Sequence, residues 1–282
     1  LYRKLEIYPY GPSEHHGDGG PLGITDLDGR VHPLCAHYLN AASELGLKVN
    51  PDYNGESQEG VAPYQATLRH GRRASASRSY LWPARHRPNL RIVTHARATR
   101  ILFEGLRAVG VAYSRHGRPY EARATGEVIL AAGAVNTPKL LQLSGVGSGL
   151  SLALKGVAVQ HDLPGVGRNL QDHVGYDHYY VSRVPSMNEA LTSLFGQLSI
   201  GIQYVLLGRG WLSMTGNHAG GFIRSRGGLD RPNMQLYFCP FSYEKAPAGS
   251  RKIMIPDEFP GFSLTVSPCR PSSRGSVGPS AA

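Results

Sequence analysis

Apolar positions change their spacing several times along the chain, and each change predicts an element. Leu34, His37, Tyr38, Ala41 and Leu45 recur at helical intervals after Pro33, with Gly46 as a stop, which predicts a helix. Residues 1–32 are instead crowded with turn formers (Pro9, Gly11, Pro12, Gly17, Gly19, Gly20, Pro21) and read as loop. So do residues 50–88, with Asn54-Gly55 as a turn and Pro83 and Pro88 as breakers. From Leu90 the period shortens: 91–94 and 99–103 predict strands, and Arg107 to Tyr113 and Arg118 to Ala124 flank a His116-Gly117 turn as a hairpin. The run Glu127-Val128-Ile129-Leu130-Ala131-Ala132-Gly133 is apolar on both parities, which predicts a strand buried on both faces of a parallel sheet. Pro138 to Leu143 predicts a short helix and Val157 to Leu163 a strand closed by Pro164-Gly165. Ser186 to Leu207 predicts one or two amphipathic helices, and Met234 to Phe241 and Phe262 to Ser267 predict strands.

This order suggests an α/β portion followed by α+β. Composition agrees with a folded chain: 41% of the 282 residues are hydrophobic and 18% charged, too apolar for wholesale disorder. Glycine (35) and proline (20) are abundant without a collagen-like period, so loops are plentiful. Cys35, Cys239 and Cys269 are far apart and form no CxxC pair, which argues against a disulfide framework or a zinc site and predicts no bound metal. The most apolar stretch, Leu194 to Leu207, is interrupted by Gly196, Gln197, Ser199, Gly201 and Gln203, so no transmembrane segment is predicted. The start shows no signal peptide. A cytoplasmic protein follows, with peripheral association with the inner membrane admitted.

Charge complicates this picture. The net charge is +10, yet residues 69–123 hold thirteen arginines against Glu104 and Glu121, a segment charge of +11. An alternative function is therefore a non-enzymatic basic protein binding nucleic acid or another polyanion, with steeply salt-dependent affinity. Against it, these arginines are spread over loops and strands without the interleaved aromatics of a base-stacking surface. Guanidinium forks equally suit the phosphates of a cofactor.

The chemistry sits in the stretch Gly133-Ala134-Val135-Asn136-Thr137-Pro138-Lys139-Leu140-Leu141-Gln142-Leu143-Ser144-Gly145-Val146-Gly147. Small side chains at Ala131, Ala132, Gly133 and Ala134 permit another group to approach the backbone, and a helix start beyond them can face an anion. Read as packing alone, the same residues make a tight strand-to-helix corner. The stretch resembles the second signature of the glucose–methanol–choline (GMC) family of flavin-dependent oxidoreductases. Further segments resemble that family in its own order: His15-His16-Gly17-Asp18-Gly19-Gly20-Pro21-Leu22, Tyr53-Asn54-Gly55 with Gln58-Glu59-Gly60-Val61, Arg87-Pro88-Asn89-Leu90, and Thr99-Arg100-Ile101-Leu102-Phe103. Leu163-Pro164-Gly165-Val166-Gly167-Arg168-Asn169-Leu170-Gln171-Asp172-His173 and Arg270-Pro271-Ser272-Ser273-Arg274-Gly275 complete the set.

The resemblance implies FAD as cofactor and oxidation of an alcohol to an aldehyde, with oxygen or a quinone accepting the electrons and nucleic acid excluded as a partner. It implies a loop-rich segment covering the flavin region over 1–89, part of an FAD-binding domain over 90–147, and an incomplete substrate domain with a mostly antiparallel sheet over 148–282. Ala98, through its backbone, and Ala131, Ala132 and Gly133 are the expected cofactor-binding residues. No GxGxxG fingerprint occurs, and the family's active-site histidine is expected beyond the C-terminus, so no catalytic residue is assigned and the chain is expected to be inactive alone. His173 belongs to a structural element by this comparison, and His15 and His16 are expected as solvated loop residues. Asn217-His218-Ala219-Gly220-Gly221-Phe222 lacks the acid that some choline-acting relatives carry there. Tyr237, Phe238 and Phe241 are candidates for either an alcohol pocket or core, and Cys239 for buried filler.

Overall fold

A computed structural model describes residues 1–247, Gly249 and 254–278. The chain forms two compact units: unit 1 comprises Leu1–Arg87 and His173–Arg270, unit 2 Pro88–Asp172 and Pro271–Ala282. In chain order the longer elements are α1 (Leu34–Glu44), β1 (Gly60–Pro63), β2 (Ala96–Glu104), β3 (Arg107–Arg115), β4 (Arg118–Arg123), α2 (Gly133–Leu143), α3 (Gly149–Leu154), β5 (Tyr176–Val181), α4 (Asn188–Thr192), α5 (Leu194–Leu207), β6 (Ala219–Ile223), β7 (Met234–Cys239) and β8 (Gly261–Pro268).

Unit 1 is organised by a five-stranded antiparallel sheet in the order β5-β8-β7-β6-β1. The register puts Phe238 opposite Ala219 and Leu264, and Leu236 opposite Gly221 and Val266, so these side chains share one face. That face packs on α1: Phe238 and Ala219 cluster with Leu34 and Cys35, and Leu236 and Val61 with Ala42. Tyr38 stacks on Phe238 with ring centroids 4.8 Å apart. Small residues in β6 are a steric requirement, since a Cβ on Gly220 would lie 2.2 Å from the Tyr64 hydroxyl.

This sheet explains two departures from the sequence pattern. The loop expected over 50–88 contains β1, whose Gly60 and Ala62 carry no strand signal and which forms by pairing with β6 on one side and bridging Val49 on the other. Because β1 joins strands from 219 onward, unit 1 is discontinuous in sequence and 1–87 groups with 173–270.

Unit 2 is built around the β4-β3-β2 meander. The predicted hairpin is present, with His116 at φ +51° and Gly117 at φ +77° in its turn. The expected strands at 91–94 and 157–163 do not form as such; only His161–Asp162 pairs, in parallel with Val146–Gly147. The largest correction is the apolar run 127–133. Residues 127–131 carry no secondary structure and no strand hydrogen-bonds to them, and Ile129 is 79% exposed. An apolar run becomes a strand only when neighbours take its N–H and C=O groups. The run therefore leaves apolar side chains such as Ile129 open. α2 also starts earlier than predicted, at Gly133, with Pro138 inside it.

The tail after Arg270 closes unit 2. Gly275 and Leu170 exchange backbone hydrogen bonds of 2.8 and 3.0 Å, the Val277 N–H donates to the Gly167 carbonyl at 2.7 Å, and the Val277 carbonyl accepts from Gln142 Nε2 at 2.9 Å.

Candidate cofactor site

Two of the four sequence-predicted residues, Ala98 and Ala132, line one cavity in unit 2. A cavity of about 580 Å³ is lined by Arg97, Ala98 and Thr99 from β2 and by Ala132, Asn136 and Lys139 from the start of α2. Ala131 and Gly133, on either side of Ala132 in sequence, are exposed and do not line the cavity.

Local physics places each part. The β2–β3 register slips between Ala98 and Arg100, making a bulge at Thr99. A bulge bends the strand and re-aims its side chains. The Thr99 hydroxyl donates to the Ala112 carbonyl at 3.1 Å, which pins the bulge to β3. Gly133 adopts φ +87°, a backbone state that side chains with a Cβ disfavour, and the space beside it is open. The Ala132 N–H donates to the Thr137 hydroxyl at 3.1 Å, fixing the entry to the helix. Ser144 then ties α2 to β2: its hydroxyl accepts from the Ile101 N–H at 2.8 Å and donates to the Leu140 carbonyl at 2.6 Å.

The electrostatics of the cavity are one-sided. Arg97 and Lys139 are its only charged lining residues, and no carboxylate opposes them. The first N–H groups of α2 have no intrahelical acceptors and carry the positive end of the helix dipole. Small walls, a positive-φ glycine and two cations suit an anionic group attached to a flat body. The small residues and the arginine-rich segment containing Arg97 were legible in the sequence; Lys139, within the signature stretch, was not singled out.

No histidine lines this cavity. His173 is exposed in unit 1, with Nε2 3.3 Å from the Cys269 carbonyl. His16 departs from the solvated loop expected of it: it is buried, stacks on Tyr8 with centroids 3.6 Å apart, and places Nδ1 2.9 Å from Glu6 and Nε2 3.0 Å from Asp52. It ties three loop segments together, while His15 is exposed as expected.

His218 is fully buried; its Nδ1 accepts from the His32 N–H at 3.0 Å, and Nε2 has no partner among the described residues. Burial, with His32 beside it, pulls its pKa down to about 4, so the ring is neutral at pH 7. Of the three aromatic candidates, Phe238 and Phe241 are core. Tyr237 lies on the opposite sheet face, donates to Gln235 Oε1 at 2.7 Å, and remains half-exposed. Cys35 and Cys239 are buried thiols pushed up to about 12 by that burial, so neither is a nucleophile at neutral pH.

A meander-and-helix unit holding a cationic cavity and a second unit with a helix-backed antiparallel sheet make an α/β plus α+β chain. The comparisons make the class specific. A family model described as GMC oxidoreductase matches residues 1–175, and the chain belongs to the GMC oxidoreductase family. It is 39% identical over 282 residues to an alcohol dehydrogenase [acceptor] of Pseudomonas putida, covering 99% of this chain and 50% of that protein. It is likewise 39% identical over 279 residues to an oxygen-dependent choline dehydrogenase of Pseudomonas aeruginosa (strain LESB58), covering 98% and 49%. The chain thus spans about half the length of these curated relatives. Among solved structures, pyridoxine 4-oxidase from Mesorbium loti superimposes with a TM-score of 0.81 at 28% identity, over 98% of this chain and 50% of that one. A formate oxidase from Aspergillus oryzae RIB40 shares the fold with a TM-score of 0.82 at 22% identity, over 99% and 53%.

Proposed function

We propose that the chain serves an FAD-dependent oxidation of an alcohol CH–OH group to an aldehyde, and that the cavity between Ala98 and Ala132 receives the nucleotide end of the FAD. The observation that carries this reading is the convergence of Ala98 and Ala132, far apart in sequence, on one cavity whose only charges are Arg97 and Lys139. The residues fit the group. Ala98, Ala131 and Ala132 let a planar base approach the backbone, and Gly133 opens the turn at the helix start. Arg97, Lys139 and the α2 N–H groups offset phosphate charge. The Thr99 bulge sets where the Ala98 backbone faces. When bound, FAD would supply a two-electron acceptor for the hydride of the carbinol carbon.

On the substrate side, we assign alcohol contact to the sheet face bearing Gln235 and Tyr237. The segment Asn217 to Phe222 carries no acid, so it offers no anion for a quaternary ammonium, and a neutral primary alcohol is the substrate class inferred. Oxygen or a quinone takes the electrons onward. A cytoplasmic setting completes the reading, supported by three free cysteines, two of them buried.

These 282 residues on their own should show no turnover, whereas anaerobic mixing of the flavin-loaded natural protein with neutral primary alcohols should bleach the flavin absorption, with choline slower. Failure of every primary alcohol to bleach it would end the oxidoreductase assignment. Faster bleaching by choline would overturn the neutral-substrate assignment alone.

A further inference from the structure

α5 carries its hydrophobic residues on the side away from the protein. Ile200 is its one buried side chain. Opposite Ile200, Leu194, Phe195, Leu198, Ile202, Val205 and Leu206 recur at i, i+1, i+4, i+8, i+11 and i+12, a single stripe on a helix of 3.6 residues per turn. All six are exposed, Phe195 at 84% and Val205 at 74%. No charged residue occurs from Ala190 to Gly208. A surface helix of a water-soluble domain shows the reverse polarity.

A second feature adjoins the C-terminal end of this stripe. The hairpin Leu68–Arg69 and Arg72–Arg73 reaches it so closely that a Cβ on Gly71 would lie 1.8 Å from the Gly208 carbonyl oxygen. Arg69, Arg72, Arg73 and Arg78, with Trp82 and the end of α5, enclose a cavity of about 950 Å³ that has no carboxylate in its lining. None of these four arginines forms an ion pair among the described residues. Trp82 is 63% exposed and lies under the Arg85 guanidinium, 3.9 Å from its ring centre.

Charge complementarity selects the occupant. A second copy of a chain with net charge +10 brings like charge to the arginines. The surface of an anionic bilayer meets both features at once, with phosphates for the guanidinium groups and acyl chains for the stripe. We propose that α5 and the adjacent arginine cavity form a docking surface for an anionic phospholipid bilayer. At 14 residues α5 is about 21 Å long, short of the roughly 30 Å hydrocarbon core, so it lies in the interface plane. No helix among the described residues is long and apolar enough to cross a membrane. Trp82 sits beside the arginines, a side chain suited to the headgroup boundary. Unit 1 alone carries this surface, so its lipid affinity is independent of flavin.

The natural protein is sedimented with vesicles of phosphatidylcholine alone and of phosphatidylcholine and phosphatidylglycerol in equal parts. The expected result is binding to the mixed vesicles that weakens with salt, and little binding to the neutral ones. Arg72→Gln with Arg73→Gln should lower the partition coefficient about tenfold or more, by loss of two headgroup contacts. Leu198→Gln with Val205→Gln should lower it about tenfold or more at every salt concentration. All four sites are exposed, so circular dichroism should be unchanged. Absence of binding to mixed vesicles overturns the proposal. So does an arginine-dependent binding that the apolar pair leaves untouched, which would be adsorption without insertion. Self-association abolished by the apolar pair, or unfolding of that variant, without vesicle binding also overturns it, by showing that protein covers the stripe.

Discussion

The five-stranded sheet of unit 1 joins β1 to strands that follow it by most of the chain length, whereas the three strands of unit 2 succeed one another without a break. The two sheets also treat their faces differently. In unit 1 Phe238, Leu236, Val61 and Ala219 are buried beneath α1, but in unit 2 every residue of β4 is exposed and the apolar run 127–131 has no pairing strand. Unit 1 is held by side-chain packing across distant segments. Unit 2 has a smaller buried set, Ile101, Leu102, Val109, Leu140, Val146 and Leu152, joined by the meander and by hydrogen bonds at Thr99 and Ser144, and it keeps open the cavity lined by Ala98 and Ala132. A region that must receive a ligand cannot fill its own concavity with large side chains.

The sharpest way to break this comparison is to remove a packing residue from unit 1. Phe238→Ala should destabilise it by about 3–5 kcal/mol in denaturant unfolding, as expected for an aromatic lost from a packed core. A loss below about 1 kcal/mol would show that the α1–sheet contact is not what holds the unit.

Acid tests the same core electrostatically. His218 has a folded pKa of about 4 against an ordinary value of 6.5, so the unfolded chain binds the proton first as pH falls. Its neutral burial stabilises fully above pH 6.5, and that contribution is lost progressively down to about pH 4, on the order of 3 kcal/mol in total. His32, also lowered by burial although Glu189 opposes the shift, adds a smaller loss of the same sign. Unfolding of the natural protein and of His218→Gln at pH 7 and pH 4.5 should show the larger acid loss in the former. Parallel pH dependences would exclude His218 as the group responsible.

The smallest effect is expected on the exposed sheet of unit 2. Tyr120 of β4 stacks across the ladder on Tyr113 with centroids 5.5 Å apart. Tyr120→Ala should cost below about 1 kcal/mol, the usual value of an exposed cross-strand pair. A loss as large as that of Phe238→Ala would erase the distinction between the units.

What was legible in the sequence follows the same division. The hairpin around His116-Gly117 and helix α1 are local, with turn residues and periodicity in adjacent positions, and both formed as the pattern predicts. β1 and β6 escaped notice because Gly60, Ala62, Gly220 and Gly221 have no strand propensity of their own; they pair because Tyr64 and the neighbouring strands crowd that space. The run 127–133 misled in the opposite direction, since apolar composition records what a segment could bury and not whether a partner strand is present. At the candidate site, motif resemblance pointed to Ala98, Ala131, Ala132 and Gly133, of which Ala98 and Ala132 line the cavity. Only the fold could bring Arg97 and Lys139 to opposite sides of one cavity, or put His16 between Glu6 and Asp52.

The central claim is that the Ala98–Ala132 cavity receives the nucleotide end of FAD. Ala98→Trp fills that cavity from a strand position whose side chain is exposed, leaving the fold intact. Fluorescence titration of the flavin-free protein should then give an FAD dissociation constant at least about tenfold higher than that of the unsubstituted protein, with unchanged circular dichroism. An unchanged dissociation constant would contradict the account.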